Sequence, residues 1–212
     1  MTARKLLGSI GFSIGLAGLV LQFGISIPSF MAAGNSLPGA VIKYFSYFTI
    51  LTNIALVLVY LSELITPSWL SWFRAPVTRG MMAAAMTLVM SFYHFVLAGT
   101  WKPEGLFLVC DIALHYIAPI AYLLWWVLLA PHRALAWPDI PAMIVPPAVY
   151  VAYVMVRGAI VAEYPYAVLE ANRLGYGPAF LNIAALLAGF TVLCAVVIAA
   201  DRALPQRKTA IA

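Results

Sequence analysis

The sequence predicts an all-α membrane protein, a single bundle of six transmembrane helices with both termini in the cytoplasm. Three observations lead there. Residues AVILMFWYC make up 65 % of the 212-residue chain. Charged residues make up only 9 %, against about 25 % in a soluble domain, and mean hydropathy is +0.99. The apolar residues also gather into six runs, each near the roughly 20 residues a helix needs to cross the hydrocarbon core. So few charges cannot cover a water-facing surface, which excludes a soluble enzyme, a disordered tail and a nucleic-acid module. The net charge of +5 is spread between the apolar runs, so no nucleic-acid partner is expected; the partner is a lipid bilayer, and the location a cell membrane.

The first run, Leu6–Ile27, follows Arg4 and Lys5. Its 22 residues exceed a signal-peptide core and no A-x-A site follows, so it reads as a true span. Gly8, Gly11, Gly15 and Gly18 form one stripe on it, the spacing that lets helices approach closely. The others are Tyr44–Ile65, Gly80–Gly99, Asp111–Ala130, Ile140–Val161 and Ala179–Ala200, separated by breaks rich in Pro, Gly and charge. With the N-terminus inside, Arg4, Lys5, Arg74, Arg79, Arg133, Arg202, Arg207 and Lys208 are cytoplasmic. Lys43, Lys102, Arg157 and Arg173 then lie outside, in keeping with the positive-inside rule. The longest connections, Pro28–Lys43 and Ala162–Pro178, are both outer. No internal repeat supports an inverted-repeat transporter. Cys110 and Cys194 lie at depths too different to pair, and His132, in a loop, reads as topological.

Polar residues inside a span are costly and are functional candidates by default. Depth organises them here. Ser46, Thr49, Thr52 and Asn53 share one face of the outer third of the second span, at spacings of three and four. Tyr93 and His94 lie in the outer third of the third. Asp111 opens the fourth, with His115 one turn below it on the same face. Tyr150, Tyr153 and Arg157 rise along the outer half of the fifth, and Asn182 opens the sixth. Five spans thus place polar groups within about 10 Å of the outer boundary, which predicts a polar cavity there.

A hydroxyl beside an imidazole, with a carboxylate orienting the imidazole, is the nucleophile–base pattern. Thr49 (or Ser46 or Thr52), His115 and Asp111 supply it. Asn53, Asn182, a tyrosine hydroxyl such as that of Tyr153, or Arg157 would stabilise an oxyanion. His94, His115 and Asp111 also meet the ligand count of a catalytic metal. No cofactor is expected: no lysine lies deep in a span for a retinal Schiff base, and no phosphate-binding glycine loop, G-x-S-x-G or H-E-x-x-H is present. The same cavity would equally suit a non-enzymatic carrier or receptor for a small apolar ligand, the histidines and Arg157 taking a polar head.

Residues 47–53, YFTILTN, resemble a signature of the androgen-induced and androgen-dependent membrane proteins, and resemble more closely a related group of bacterial six-helix membrane proteins. DIALHYIAP at 111–119, with a proline four residues after its histidine, YPYAVLEANRLGYG at 164–177 and FYHFVLAG at 92–99 agree in order over about residues 40–200. Characterised members of the animal branch are multipass hydrolases that cleave fatty acid esters of hydroxy fatty acids with a threonine and a histidine. The resemblance implies Thr49 and His115 for those roles, or Ser46 when the comparison is anchored on Lys43. A lipid ester would enter laterally, its ester reaching the polar layer, with the Ala162–Pro178 loop covering the site.

Overall fold

The computed structural model describes residues 3–206; Arg207 and Lys208, counted above among the cytoplasmic charges, lie outside the described residues. Among the described residues there is no strand. Apart from single helical turns in the connections, the helices are α1 (Ala3–Ala32), the short α2 (Leu37–Tyr44), α3 (Phe48–Ile65), α4 (Pro76–Leu97), α5 (Gly105–Leu129), α6 (Ile140–Val161) and α7 (Tyr176–Ala203). All except α2 are long and apolar enough to cross a bilayer, which makes six spans.

Five of the six span starts shift from expectation, and two of the shifts bear on the site. The second span does not begin at Tyr44. Ser36 Oγ accepts from the Gly39 amide at 3.2 Å and Pro38 sits in the first turn, so residues 37–44 form their own capped helix. Tyr47 is then extended, at φ −83° and ψ 127°, and α3 starts afresh at Phe48. The fourth span begins at Gly105, six residues before Asp111. Asp111 therefore lies about 9 Å along the helix rather than at its mouth.

α1 packs along α3 and α5 through its glycine stripe. A Cβ on Gly11 would fall 2.4 Å from the Tyr60 ring, so only the smallest residue permits that approach. Tyr60 meets Tyr122 and Trp125 of α5 at centroid distances of 5.8 and 5.6 Å. α4 runs through the middle of the bundle, burying Met81, Met82 and Met86 against these rings and against Phe190, Cys194 and Ile198 of α7. The outward faces carry exposed Val20, Phe95, Ile160, Leu181 and Val192, as surfaces in contact with lipid do. Both cysteines are buried and free.

Six spans return the chain to the end at which it began. At that end Glu63 bridges Arg4 at 2.5 Å and Arg79 at 2.8 Å. His132 is not merely topological there. It is buried, its Nδ1 3.2 Å from Asp201 Oδ1, while Asp201 Oδ2 accepts from the amides of Ala134 and Leu135 at 2.9 Å each. The pair pins the connection before α6 onto the end of α7. Its members are 69 residues apart, a pairing that no local pattern announces.

A candidate active site at a threonine–histidine pair

Two wide turns build the opposite half of the bundle. Residues Tyr93–Leu97 of α4 and Ala113–Ile117 of α5 follow the π pattern, in which each amide reaches back five residues. Ala98 N–H donates to Tyr93 O at 2.8 Å, and Ala118 N–H donates to Ala113 O. The second turn has a cause in the sequence. Pro119 has no N–H to give the His115 carbonyl, so the regular ladder fails there. Each turn carries a histidine.

His115 points inward. Its Nδ1 lies 3.0 Å from the main-chain oxygen of Asp111 and donates to it. That bond puts the ring proton on Nδ1 and leaves Nε2 as an acceptor. Nε2 lies 3.2 Å from Thr49 Oγ1. The hydroxyl of Thr49, on the first turn of α3, thus has a base within reach. The expected carboxylate–imidazole contact takes a modified form. Asp111 Oδ1 is 3.2 Å from Nδ1 but has no hydrogen-bond donor among the described residues. Oδ2 instead accepts from the Tyr93 hydroxyl. The main chain of the wide turn orients the imidazole, and the buried carboxylate adds negative charge beside it. Tyr93 also stacks on the His115 ring, 3.9 Å between centroids and 19° between planes.

The pair forms part of the wall of a cavity of about 480 Å³, within the range of small-molecule sites. Gln22, Ser26 and Ser29 of α1, Tyr47, Cys110, Trp101 and Pro165 also line it. A smaller apolar chamber of about 70 Å³, bordered by Val89, Val151 and Leu186, lies against the pair as well. Thr49, Leu97, His115 and Tyr166 border both. Tyr166 comes from the connection between α6 and α7. Its hydroxyl accepts the Phe48 N–H at 3.0 Å, and its ring meets Tyr47 and Phe92 edge-on. Asn182 Nδ2 donates to Val168 O at 2.8 Å and ties the same connection to α7.

The start of that connection is held by charge. Glu163 pairs with Lys43, and Arg157 donates to Glu163 Oε2 at 2.8 Å and to its main-chain oxygen at 3.0 Å. Burial pushes the Glu163 carboxyl up, but hydrogen bonds and charge from Lys43 and Arg157 outweigh it and hold the group below the usual carboxylate range.

Of the polar layer, the structure brings together Thr49, His115, Asp111 and Tyr93, and commits the others to different contacts. Ser46 Oγ donates to Ile42 O at 2.7 Å and accepts from Tyr153, because the break before α3 turns it off the Thr49 face. Thr52 Oγ1 bonds the carbonyls of Phe48 and Thr49, the usual habit of a hydroxyl in a helix. Asn53 Nδ2 bridges Thr49 O and Leu114 O, at 2.8 and 3.2 Å, joining α3 to the wide turn. His94 is exposed, 3.1 Å from the Tyr116 hydroxyl. It does not join His115 and Asp111, and among the described residues no group of three or more His, Cys, Asp or Glu is placed to hold a metal ion. Tyr93 belonged to the expected polar layer without a role of its own, Tyr166 entered only as part of the covering loop, and the α1 residues Gln22 and Ser26 were outside the candidate set. The Tyr-Pro-Tyr run was the one available signal for Tyr166.

Fold and site define a multipass helical membrane protein with a hydroxyl–imidazole pair bordering a cavity. No protein-family model, curated protein or solved structure matches the chain.

Proposed function

We propose that the protein hydrolyses lipid esters within the bilayer, with Thr49 as nucleophile and His115 as general base. The observation that carries this reading is the 3.2 Å contact between Thr49 Oγ1 and a His115 Nε2 left free to accept. The Thr49 hydroxyl adds to the ester carbonyl carbon as its proton passes to Nε2. The tetrahedral adduct collapses, the bond to the alkoxy oxygen breaks, and that oxygen leaves with the proton from Nε2. Water, deprotonated by the same nitrogen, then releases the acid from Thr49 and restores the hydroxyl. The buried Asp111 carboxylate favours the imidazolium formed in each half. The resemblance to the androgen-induced family, whose animal members cleave fatty acid esters of hydroxy fatty acids, supports the substrate class. In this reading the site opens toward the outer leaflet of a cell membrane and both termini are cytoplasmic, as the eight basic residues on that side favour.

The test is hydrolysis of a branched fatty acid ester by protein in mild detergent. Thr49→Ala and His115→Ala each lower kcat at least about 10³-fold, with unfolding temperatures close to the wild type. Turnover that survives Thr49→Ala removes the nucleophile assignment. A second reading, a carrier or receptor for an apolar ligand, draws on the size of the cavity and on Gln22 and Ser26, whose side chains pair with each other at 2.6 Å along its wall. It predicts saturable binding of the ester with no product.

A further inference from the structure

An acyl transfer also needs a donor where negative charge develops on the carbonyl oxygen. The residues that the sequence offers for that task are committed elsewhere. Asn53 holds two carbonyls, Asn182 holds Val168 O, Arg157 holds Glu163 and Tyr153 donates to Ser46. One buried hydroxyl beside Thr49 has a different arrangement. Tyr166 Oη already accepts the Phe48 amide at 3.0 Å, so its own hydrogen is the part that remains to be given. It borders both chambers with Thr49 and His115. It also stands over the N-terminus of α3, where unpaired amides and the helix dipole favour negative charge.

We propose, on the basis of the hydrolase reading, that Tyr166 is a catalytic residue whose phenol donates to the oxyanion of the tetrahedral adduct on Thr49. Its hydroxyl accepts from the amide of Phe48, the residue before Thr49, and borders both chambers with the Thr49 side chain, so the adduct oxygen, one bond beyond the carbon that Thr49 attacks, forms beside it. Burial holds the phenol above its ordinary value, and the Phe48 amide that donates to it draws it only part of the way back. The group is thus protonated at neutral pH, as a donor must be. The amide behind it polarises the O–H, so the donor is a two-member chain of Phe48 N–H and Tyr166 O–H.

The experiment compares wild type, Thr49→Ala and Tyr166→Phe on one chromogenic ester. Phenylalanine keeps the ring contacts with Tyr47 and Phe92 and removes only the hydroxyl. The expected result is a fall in kcat of about 10²- to 10³-fold, with KM within about threefold. The second variant carries 3,5-difluorotyrosine at position 166, nearly the same shape but a more acidic phenol. Its kcat falls as pH rises through the lowered phenol pKa, an alkaline limb that the wild type lacks and that a purely structural role would not produce. Tyr166→Phe with kcat within threefold of wild type, while Thr49→Ala is inactive, overturns the assignment of Tyr166 and leaves the hydrolase standing. So does a difluorotyrosine protein with the wild-type pH profile. A wild type inactive on every ester overturns both.

Discussion

At the residue scale, the site depends on how one imidazole is held. Three contacts set the His115 ring: the Asp111 main-chain oxygen fixes its proton, Tyr93 fixes its plane, and the Asp111 carboxylate lies beside it. Tyr93→Phe keeps the stack and frees Asp111 Oδ2 from its donor. The expected result is a kcat about tenfold lower, the worth of one hydrogen bond, with KM unchanged; steady-state kinetics on the proposed ester checks it. The sequence shows His115 and Thr49 at matching depth because depth follows from counting residues along apolar runs. It does not show Tyr93 stacking on His115, since facing on neighbouring helices depends on rotations that a one-dimensional pattern leaves open. His94 illustrates the same limit, having the right depth and the wrong side of its helix.

At the element scale, the connection between α6 and α7 acts as a strap, fastened at one end by Lys43, Arg157 and Glu163 and at the other by Asn182. Tyr164 packs so closely on α6 that a Cβ on Gly158 would fall 2.1 Å from its ring. A carboxyl held below its ordinary value contributes stability that is present above the unfolded pKa, about 4.3, and lost as pH falls through the folded value. The strap is therefore expected to loosen below about pH 4 and to stay fastened at neutral pH. Hydrogen exchange of residues 162–175 across that range checks this. Glu163→Gln brings the same faster exchange to neutral pH, and lowers kcat through the displacement of Tyr166.

At the scale of the whole molecule, the two ends of the bundle are built differently. The end holding Arg4 and Asp201 is closed by the Arg4–Glu63–Arg79 cluster and the His132–Asp201 pair, and the other holds the cavity beside Thr49 and His115. Glu63 separates two arginines that otherwise share a buried site. Removing it with Glu63→Ala is expected to cost about 3 kcal/mol, read as a lower unfolding midpoint in detergent, without altering KM on the proposed ester. Six spans and their order were legible because transfer of a 20-residue apolar run into lipid is a property of composition. The starts at Phe48 and Gly105 were not, because a capping hydroxyl and an extended Tyr47 settle them over a few atoms. The ion clusters were hidden for a related reason: Arg4, Glu63 and Arg79 sit on three separate helices.

The wide turn at Ala113–Ile117 gives α5 a counting problem with a genetic consequence. Such a turn holds one residue more than a regular one, so the helix on its Pro119 side is out of phase by one residue with the helix on its Asp111 side. Excising a single codon, that of Ala113, would bring the two segments back into phase, with Pro119 still leaving the His115 carbonyl without its usual donor, and keep Tyr122 and Trp125 against Tyr60. The histidine would then have its ring carried around the helix axis from Thr49. A length change of one amino acid thus separates a bundle that keeps its core from one that keeps its candidate chemistry.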